Sequence, residues 1–64
     1  MKNFKLVEAR RKSGLTQEEA ALRAEISTSS YRRIEYGTQR PNIDTAFRIA
    51  DALDSTVEEL FRKT

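Results

Sequence analysis

The sequence predicts an all-α fold: one compact domain of five short helices. Helix-start and helix-stop residues punctuate the chain at short intervals, and apolar residues between them recur at spacings of three and four. No stretch alternates apolar and polar side chains as a half-buried strand would. A chain of 64 residues buries only about 60% of the surface its unfolded form exposes, so it makes one domain, spanning 1–64, with no room for a catalytic cleft beside the core.

The first helix is expected from about Lys5 to Ser13, with Leu6, Ala9 and Val7 as its candidate inner face, and Gly14 as a left-handed stop. Thr16 begins the second, and Glu19 three residues on completes a capping box. Ala20, Ala21 and Ala24 make its buried side small, so a partner helix can come close, and Ala21 sits where the two helices of this region approach most nearly. Ser27 caps the third helix, which runs to about Tyr36 with Tyr31 and Ile34 on one face and Gly37 as its end. Residues 38–41 form a loop, since Pro41 cannot continue a helix interior. Asn42 is the cap of a fourth helix whose inner face reads Ile43, Ala46, Phe47, Ala50 and Leu53. Ser55 and Thr56 each have a Glu three residues later, which predicts a short fifth helix through Val57, Leu60 and Phe61.

Residues of about 16–36 thus form two short helices around a tight turn, the second with small polar residues and a double arginine near its start. That is the pattern of a helix-turn-helix, in which the first helix crosses the DNA backbone and the second enters the major groove. Net charge is only +2, yet residues 1–40 hold nine basic against five acidic side chains, and residues 41–64 hold three against five. The basic half therefore contains the helices proposed to face phosphate. Cysteine and histidine are absent, which excludes disulfides and the usual zinc-finger ligand sets and removes the commonest nucleophile and general base. The reading is accordingly not an enzyme, with no cofactor, no metal site and no small-molecule ligand. No apolar run approaches a membrane span, and no signal-peptide block follows Met1, so a soluble cytoplasmic protein is expected.

The chain resembles the Cro/phage-repressor (XRE-type) helix-turn-helix family. The resemblance runs through Ala9-Arg10, Leu-Thr-Gln-Glu-Glu at 15–19, Ile-Ser at 26–27, Arg-Ile-Glu at 33–35, Gly37, Pro41, Asp-Thr at 44–45, Ile-Ala at 49–50, Ala-Leu at 52–53 and Glu-Leu-Phe at 59–61. It implies a lambda-repressor-like five-helix fold and a transcriptional regulator, a repressor in the first instance, binding double-stranded DNA as a homodimer that forms in solution or only on a two-fold symmetric operator. Thr28, Ser29, Arg32 and Arg33 are the implied base-contacting residues. Arg32 and Arg33 have phosphate contact as their alternative, and for Thr28 and Ser29 the alternative is helix capping. Gln17, Ser27, Arg40 and Asn42 are implied to contact phosphate. Arg10 and Glu35 are implied to form a structural ion pair.

The family's dimer contacts suggest the region from about Asp54 to Thr64, which offers Val57, Leu60 and Phe61, although at least two of these are expected in the monomer core. Two departures stand out: Glu25 and Asp54 occupy turn positions where the family commonly has Gly. A left-handed backbone at Glu25 costs on the order of 1 kcal/mol. Ala20 and Ala24 stand where leucine is common, and Tyr31 and Phe47 are expected to fill the space. A second reading stays open, an adaptor that binds a protein partner through Asp44, Asp51, Asp54, Glu58 and Glu59. Steep salt dependence distinguishes DNA binding from it.

Overall fold

The computed structural model describes residues 1–62. The helices are α1 (Phe4–Lys12), α2 (Gln17–Arg23), α3 (Thr28–Tyr36), α4 (Ile43–Ala52) and α5 (Val57–Phe61), and no strand occurs among the described residues. None of these helices is long and apolar enough to cross a membrane.

Each helix begins on a short polar side chain that accepts a hydrogen bond from the backbone two or three positions into the first turn. The caps are Asn3, Thr16, Ser27, Asn42 and Thr56. At Thr16 the capping box is complete, with Glu19 returning a bond to the Thr16 N–H at 2.9 Å. The first helix starts slightly earlier than its apolar pattern predicts, because Asn3 accepts from the Leu6 N–H at 3.1 Å. Of the two candidates at the fifth helix, Thr56 is the cap, and the Ser55 hydroxyl instead donates to Glu59 at 3.4 Å.

The stops are as regular as the starts. Gly14, Glu25, Gly37 and Asp54 all have positive φ, at 71°, 60°, 82° and 54°. After each one, the next N–H turns back to the carbonyl five residues earlier: Leu15 to Arg10, Ile26 to Ala21, Thr38 to Arg33 and Ser55 to Ala50, at 2.8–3.2 Å. This is the Schellman ending, which satisfies carbonyls left open by the last turn. Glu25 and Asp54 adopt it without glycine, so the tight turn of the motif keeps its left-handed geometry at a steric cost of about 1 kcal/mol.

α2 packs on α3 and α4, α5 packs on α1 and α4, and α1 leans on α3. The core they enclose is Leu6, Ala20, Ala21, Ala24, Tyr31, Ile34, Ile49, Ala50, Leu53 and Leu60. The three alanines of α2 leave room that Tyr31, fully buried, takes up. Phe47 does not share that role: it is 56% exposed, and Ile43 is 74% exposed. The inward residue is Ile49. On α4 the side chains of Ala46, Ile49, Ala50 and Leu53 fall within one narrow arc, and Ile43 and Phe47 continue that arc beyond the surface the neighbouring helices cover. In α5, Leu60 is buried, and Val57 and Phe61 are half-buried against the same core, so this helix spends its apolar side chains within the monomer. Lys63 and Thr64, the end of the expected dimer region, lie outside the described residues.

Ala21→Val places two methyl groups where α2 has no free space. Overpacking of this kind costs about 1–3 kcal/mol, and a 64-residue domain should then melt several degrees lower. An unchanged melting temperature would remove the close helix approach from the account.

Candidate nucleic-acid interface

One face of α3 is turned away from the core. At 100° per residue, Thr28, Ser29, Arg32, Arg33 and Tyr36 fall on the outer side and Tyr31, Ile34 and Glu35 on the inner. Ser29, Arg32, Arg33 and Tyr36 are exposed and Thr28 is half-buried. The capping bond at this end belongs to Ser27, whose hydroxyl accepts from the Ser30 N–H at 3.1 Å. The hydroxyls of Thr28 and Ser29 make no hydrogen bond among the described residues, so capping does not compete for them. Two short hydroxyl side chains and two arginines on one exposed stripe present donors, acceptors and a methyl group, the chemistry that base edges in a major groove match.

The inner side of the same helix carries the anchor. Glu35 is 2% exposed, and its Oε2 accepts from Arg10 Nε at 2.7 Å. Arg10 also donates through Nη1 to the Leu15 carbonyl at 2.9 Å, which ties α1, the following loop and α3 together. The second carboxylate oxygen, Oε1, accepts from Gln17 Nε2 at 2.9 Å, so α2 joins the same group. Burial alone would push the Glu35 carboxyl up, but the Arg10 and Gln17 hydrogen bonds hold it below the usual carboxylate value. The Arg10 guanidinium is pushed up by its bond to Glu35. Tyr31 lies beside them with its hydroxyl buried and lacking a hydrogen-bond partner among the described residues. Burial, with the neighbouring Glu35, pushes its ionisation up. The expected ion pair of Arg10 and Glu35 is thus present, with Gln17 as an added third member.

Gln17 lies at the start of α2, half-buried, and its side chain reaches toward α3: Nε2 is on Glu35, and Oε1 accepts from Arg32 Nε at 3.3 Å. Its second amide hydrogen is left for another acceptor. Ser27 and Asn42 are exposed, and each caps a helix. The Asn42 Oδ1 accepts from the Thr45 N–H at 2.8 Å, leaving its Nδ2 as a donor, and the Ser27 hydroxyl keeps its own proton to donate. Arg40 is exposed in the loop beyond α3, where the Thr38 and Gln39 N–H groups fold back onto the Arg33 carbonyl at 3.0 and 3.3 Å. Arg32 and Gln17 are in direct contact, whereas Arg40 and Asn42 lie past the far end of α3.

Tyr36 is a member of the outer stripe that the sequence reading did not single out. The spacing of four from Thr28 to Arg32 to Tyr36 was the available signal. Lys2 Nζ stands 5.9 Å from the Tyr36 ring centre and 6.0 Å from that of Phe4. The arm carrying Lys2 is held there by Asn3, whose N–H donates to the Glu35 carbonyl and whose Nδ2 donates to the Leu60 carbonyl, both at 2.8 Å. Gly37 makes room for the arm, since a Cβ built there would fall on the Met1 carbonyl oxygen.

A short capped helix, a left-handed turn and a second helix with a polar, arginine-bearing outer face define a helix-turn-helix DNA-binding domain. The sequence matches the helix-turn-helix family HTH_3 over residues 6–60, and the chain belongs to that family. Among solved structures it is similar to the restriction-modification controller protein C.AhdI from Aeromonas hydrophila. The two are 30% identical, with 92% of this chain and 89% of that one covered, at a TM-score of 0.86. The N-terminal DNA-binding domain of SinR from Bacillus subtilis shares the fold at 24% identity, covering 97% of this chain and 91% of that one, TM-score 0.86. The clp gene regulator ClgR from C. glutamicum does so at 21% identity, covering 91% and 75%, TM-score 0.80. Among curated proteins, none matches the sequence.

Glu35→Gln should lower stability at neutral pH by about 3 kcal/mol, because it strips Arg10 of its charge partner in a buried setting. Because the folded Glu35 ionises below its ordinary value of 4.5, its contribution is full above that pH and is lost as pH falls through the folded value. The stability gap between wild type and Glu35→Gln, followed by urea unfolding, should therefore narrow as pH falls below about 4.5. A gap that stays constant down to pH 3 would show that the charge of Glu35 is not what stabilises the fold.

Proposed function

We propose that the chain is a sequence-specific regulator of transcription that lays α3 in the major groove of double-stranded DNA and represses by occupying a two-fold symmetric operator. The observation that carries this is the outer stripe of α3. Ser29, Arg32 and Arg33, exposed, and the half-buried Thr28 lie together on a helix whose opposite side is locked to α1 and α2. In this reading Arg32 takes a guanine edge, Thr28 and Ser29 take neighbouring bases, and Arg33 takes a base or the backbone. Gln17, Ser27, Arg40 and Asn42 take phosphates with the donors their helix-capping and interhelix bonds leave over. C.AhdI is a restriction-modification controller, and the same kind of gene-control role is proposed for this chain. No catalytic role is proposed, and the cytoplasm is the proposed site of action.

The reading includes a homodimer, one copy per half-site. The contact proposed for it is on α4, where Ile43 and Phe47 stand exposed one turn apart beside the ion pair of Asp44 and Arg48 at 3.2 Å. Two copies of α4 packed antiparallel about a two-fold axis would cover both apolar pairs and set acid against base across the axis. Two side chains per copy fall well short of the roughly 800 Å² per partner of a stable interface, so the dimer forms on the operator.

Selection of bound duplexes from a random library tests this directly. The wild type should enrich a two-fold symmetric site with half-site centres ~34–36 Å apart, and log affinity should fall with log salt at about −0.9 per phosphate neutralised. Arg32→Ala should relax preference at one position in each half-site and weaken the best site by about 1–3 kcal/mol. A single enriched half-site would remove the dimer. Enrichment of nothing would remove the DNA reading and leave the acidic helices α4 and α5 as a protein-binding surface.

A further inference from the structure

We propose that Glu25 is a specificity-determining residue: its carboxylate, fixed in the turn ahead of α3, repels phosphate from placements of the duplex in which α3 is not fully seated. The inference rests on the DNA-binding reading and adds to it a residue that makes no contact of its own with DNA.

Four residues of this chain end a helix in the left-handed conformation, and two of them are glycine. At Gly14 and Gly37 that geometry is free of steric cost, whereas at Glu25, with φ at 60°, a Cβ has to be tolerated. Nothing in the packing returns the cost. The Glu25 side chain is exposed and forms no ion pair or hydrogen bond among the described residues. The bonds that close the turn run from the Glu25 N–H to the Leu22 carbonyl at 3.1 Å and from the Ile26 N–H to the Ala21 carbonyl at 3.0 Å. They belong to the backbone and would form equally with glycine. The positive end of α3 favours a nearby carboxylate, a gain that fades within the first turn.

What this residue type does place here is a negative charge. Glu25 precedes Ser27, the proposed phosphate donor at the head of α3, by two residues, at most about 7 Å of chain. That is inside the ~8 Å over which charges still interact at physiological salt. In the seated complex the turn is held in place by α3 in the groove, and Ser27 meets phosphate through a neutral hydroxyl. A duplex of the wrong sequence is held by charge alone, and slides and tilts against the basic face. Placements that lead with the turn bring phosphate onto the carboxylate. A like charge set against the competitor raises discrimination with no added contact to the target. Random sites vastly outnumber operators, so a small penalty on them matters.

The test compares the best selected duplex with a random-sequence duplex of equal length, for wild type, Glu25→Gln, Glu25→Gly and Asp54→Asn. Glutamine removes the charge and keeps the left-handed side chain. It should raise affinity for the random duplex by about twofold to fivefold, with a smaller gain on the selected duplex, so that their ratio falls. Glu25→Gly should lower the ratio equally and also melt about 2–5 °C higher, since it removes the strain as well. Asp54→Asn takes the same charge from the other left-handed acid, in the turn between α4 and α5, and should leave the ratio as in wild type. An unchanged ratio in Glu25→Gln would overturn the proposal. Equal falls in Glu25→Gln and Asp54→Asn would also overturn it, by making the effect one of net charge. So would lost preference at a single base pair in Glu25→Gln, since the carboxylate would then be reading a base. A wild type that binds neither duplex even at low salt would sink the DNA-binding reading itself. Wild-type binding with the ratio intact in both Glu25 variants would sink this inference alone.

Discussion

Glu35 is a charged group in a core otherwise built of alanine, leucine, isoleucine, one valine and one tyrosine, and the parts that set the placement of α3 all meet at it. Arg10 brings α1 and the loop at Leu15, Gln17 brings the start of α2, and the backbone carbonyl of Glu35 takes the N-terminal arm through Asn3. A buried charge is costly to desolvate, and a pair such as this adds little net stability over an apolar equivalent. What it adds is direction: a carboxylate with both oxygens engaged admits few helix placements, whereas alanine contacts alone admit sliding. The outer stripe of α3 is in place because its inner side cannot rotate.

The rest of the fold allows that anchor to be reached. Small side chains on α2 bring α3 close enough for Gln17 to touch both Glu35 and Arg32. The turn between these helices has to be tight, and Glu25 is held in a left-handed conformation to make it so. That strain is modest beside the marginal stability of a small domain, roughly 0.05–0.15 kcal/mol per residue, yet it is not negligible. Tyr31 supplies the bulk the alanines lack and leaves its hydroxyl without a hydrogen-bond partner among the described residues, a second cost accepted at the same place. Both costs lie within the motif that carries the function, and outside it Asp54 bears the same left-handed backbone as Glu25.

Local features of this fold are legible in the sequence because they are set by neighbours along the chain. Thr16, Ser27, Asn42 and Thr56 announce helix starts, Gly14 and Gly37 announce ends, and the cost at Glu25 and Asp54 follows from their turn positions. The Arg10–Glu35 pair was legible only through family resemblance, since twenty-five positions separate its members. Where the reading of α4 missed, the cause is geometric. Apolar periodicity says which side of a helix faces inward but not how wide an arc its neighbours cover, so Ile43 and Phe47 were assigned to a core that ends before reaching them. In α5 the reverse holds, with Val57, Leu60 and Phe61 drawn into the monomer because a five-residue helix has little else to hold it. Tyr36 and the arm at Lys2 were hidden for a different reason, since their meeting depends on Gly37 accommodating the chain's first residue.

Charge and polarity then assign the work. The basic, hydroxyl-rich stripe faces outward on α3, and the acids of α4 and α5 are partly spent on local pairs such as Asp44 with Arg48 and Glu58 with Arg62. The most direct measurement of the central claim is an amide and arginine side-chain NMR titration of the protein with its selected duplex. The account requires large shifts at Thr28, Ser29, Arg32, Arg33 and Tyr36, with the Arg10 Nε–H signal unmoved because the anchor behind them stays closed. Shifts concentrated at Asp51, Asp54 and Glu58, or loss of the Arg10 signal on binding, would contradict it.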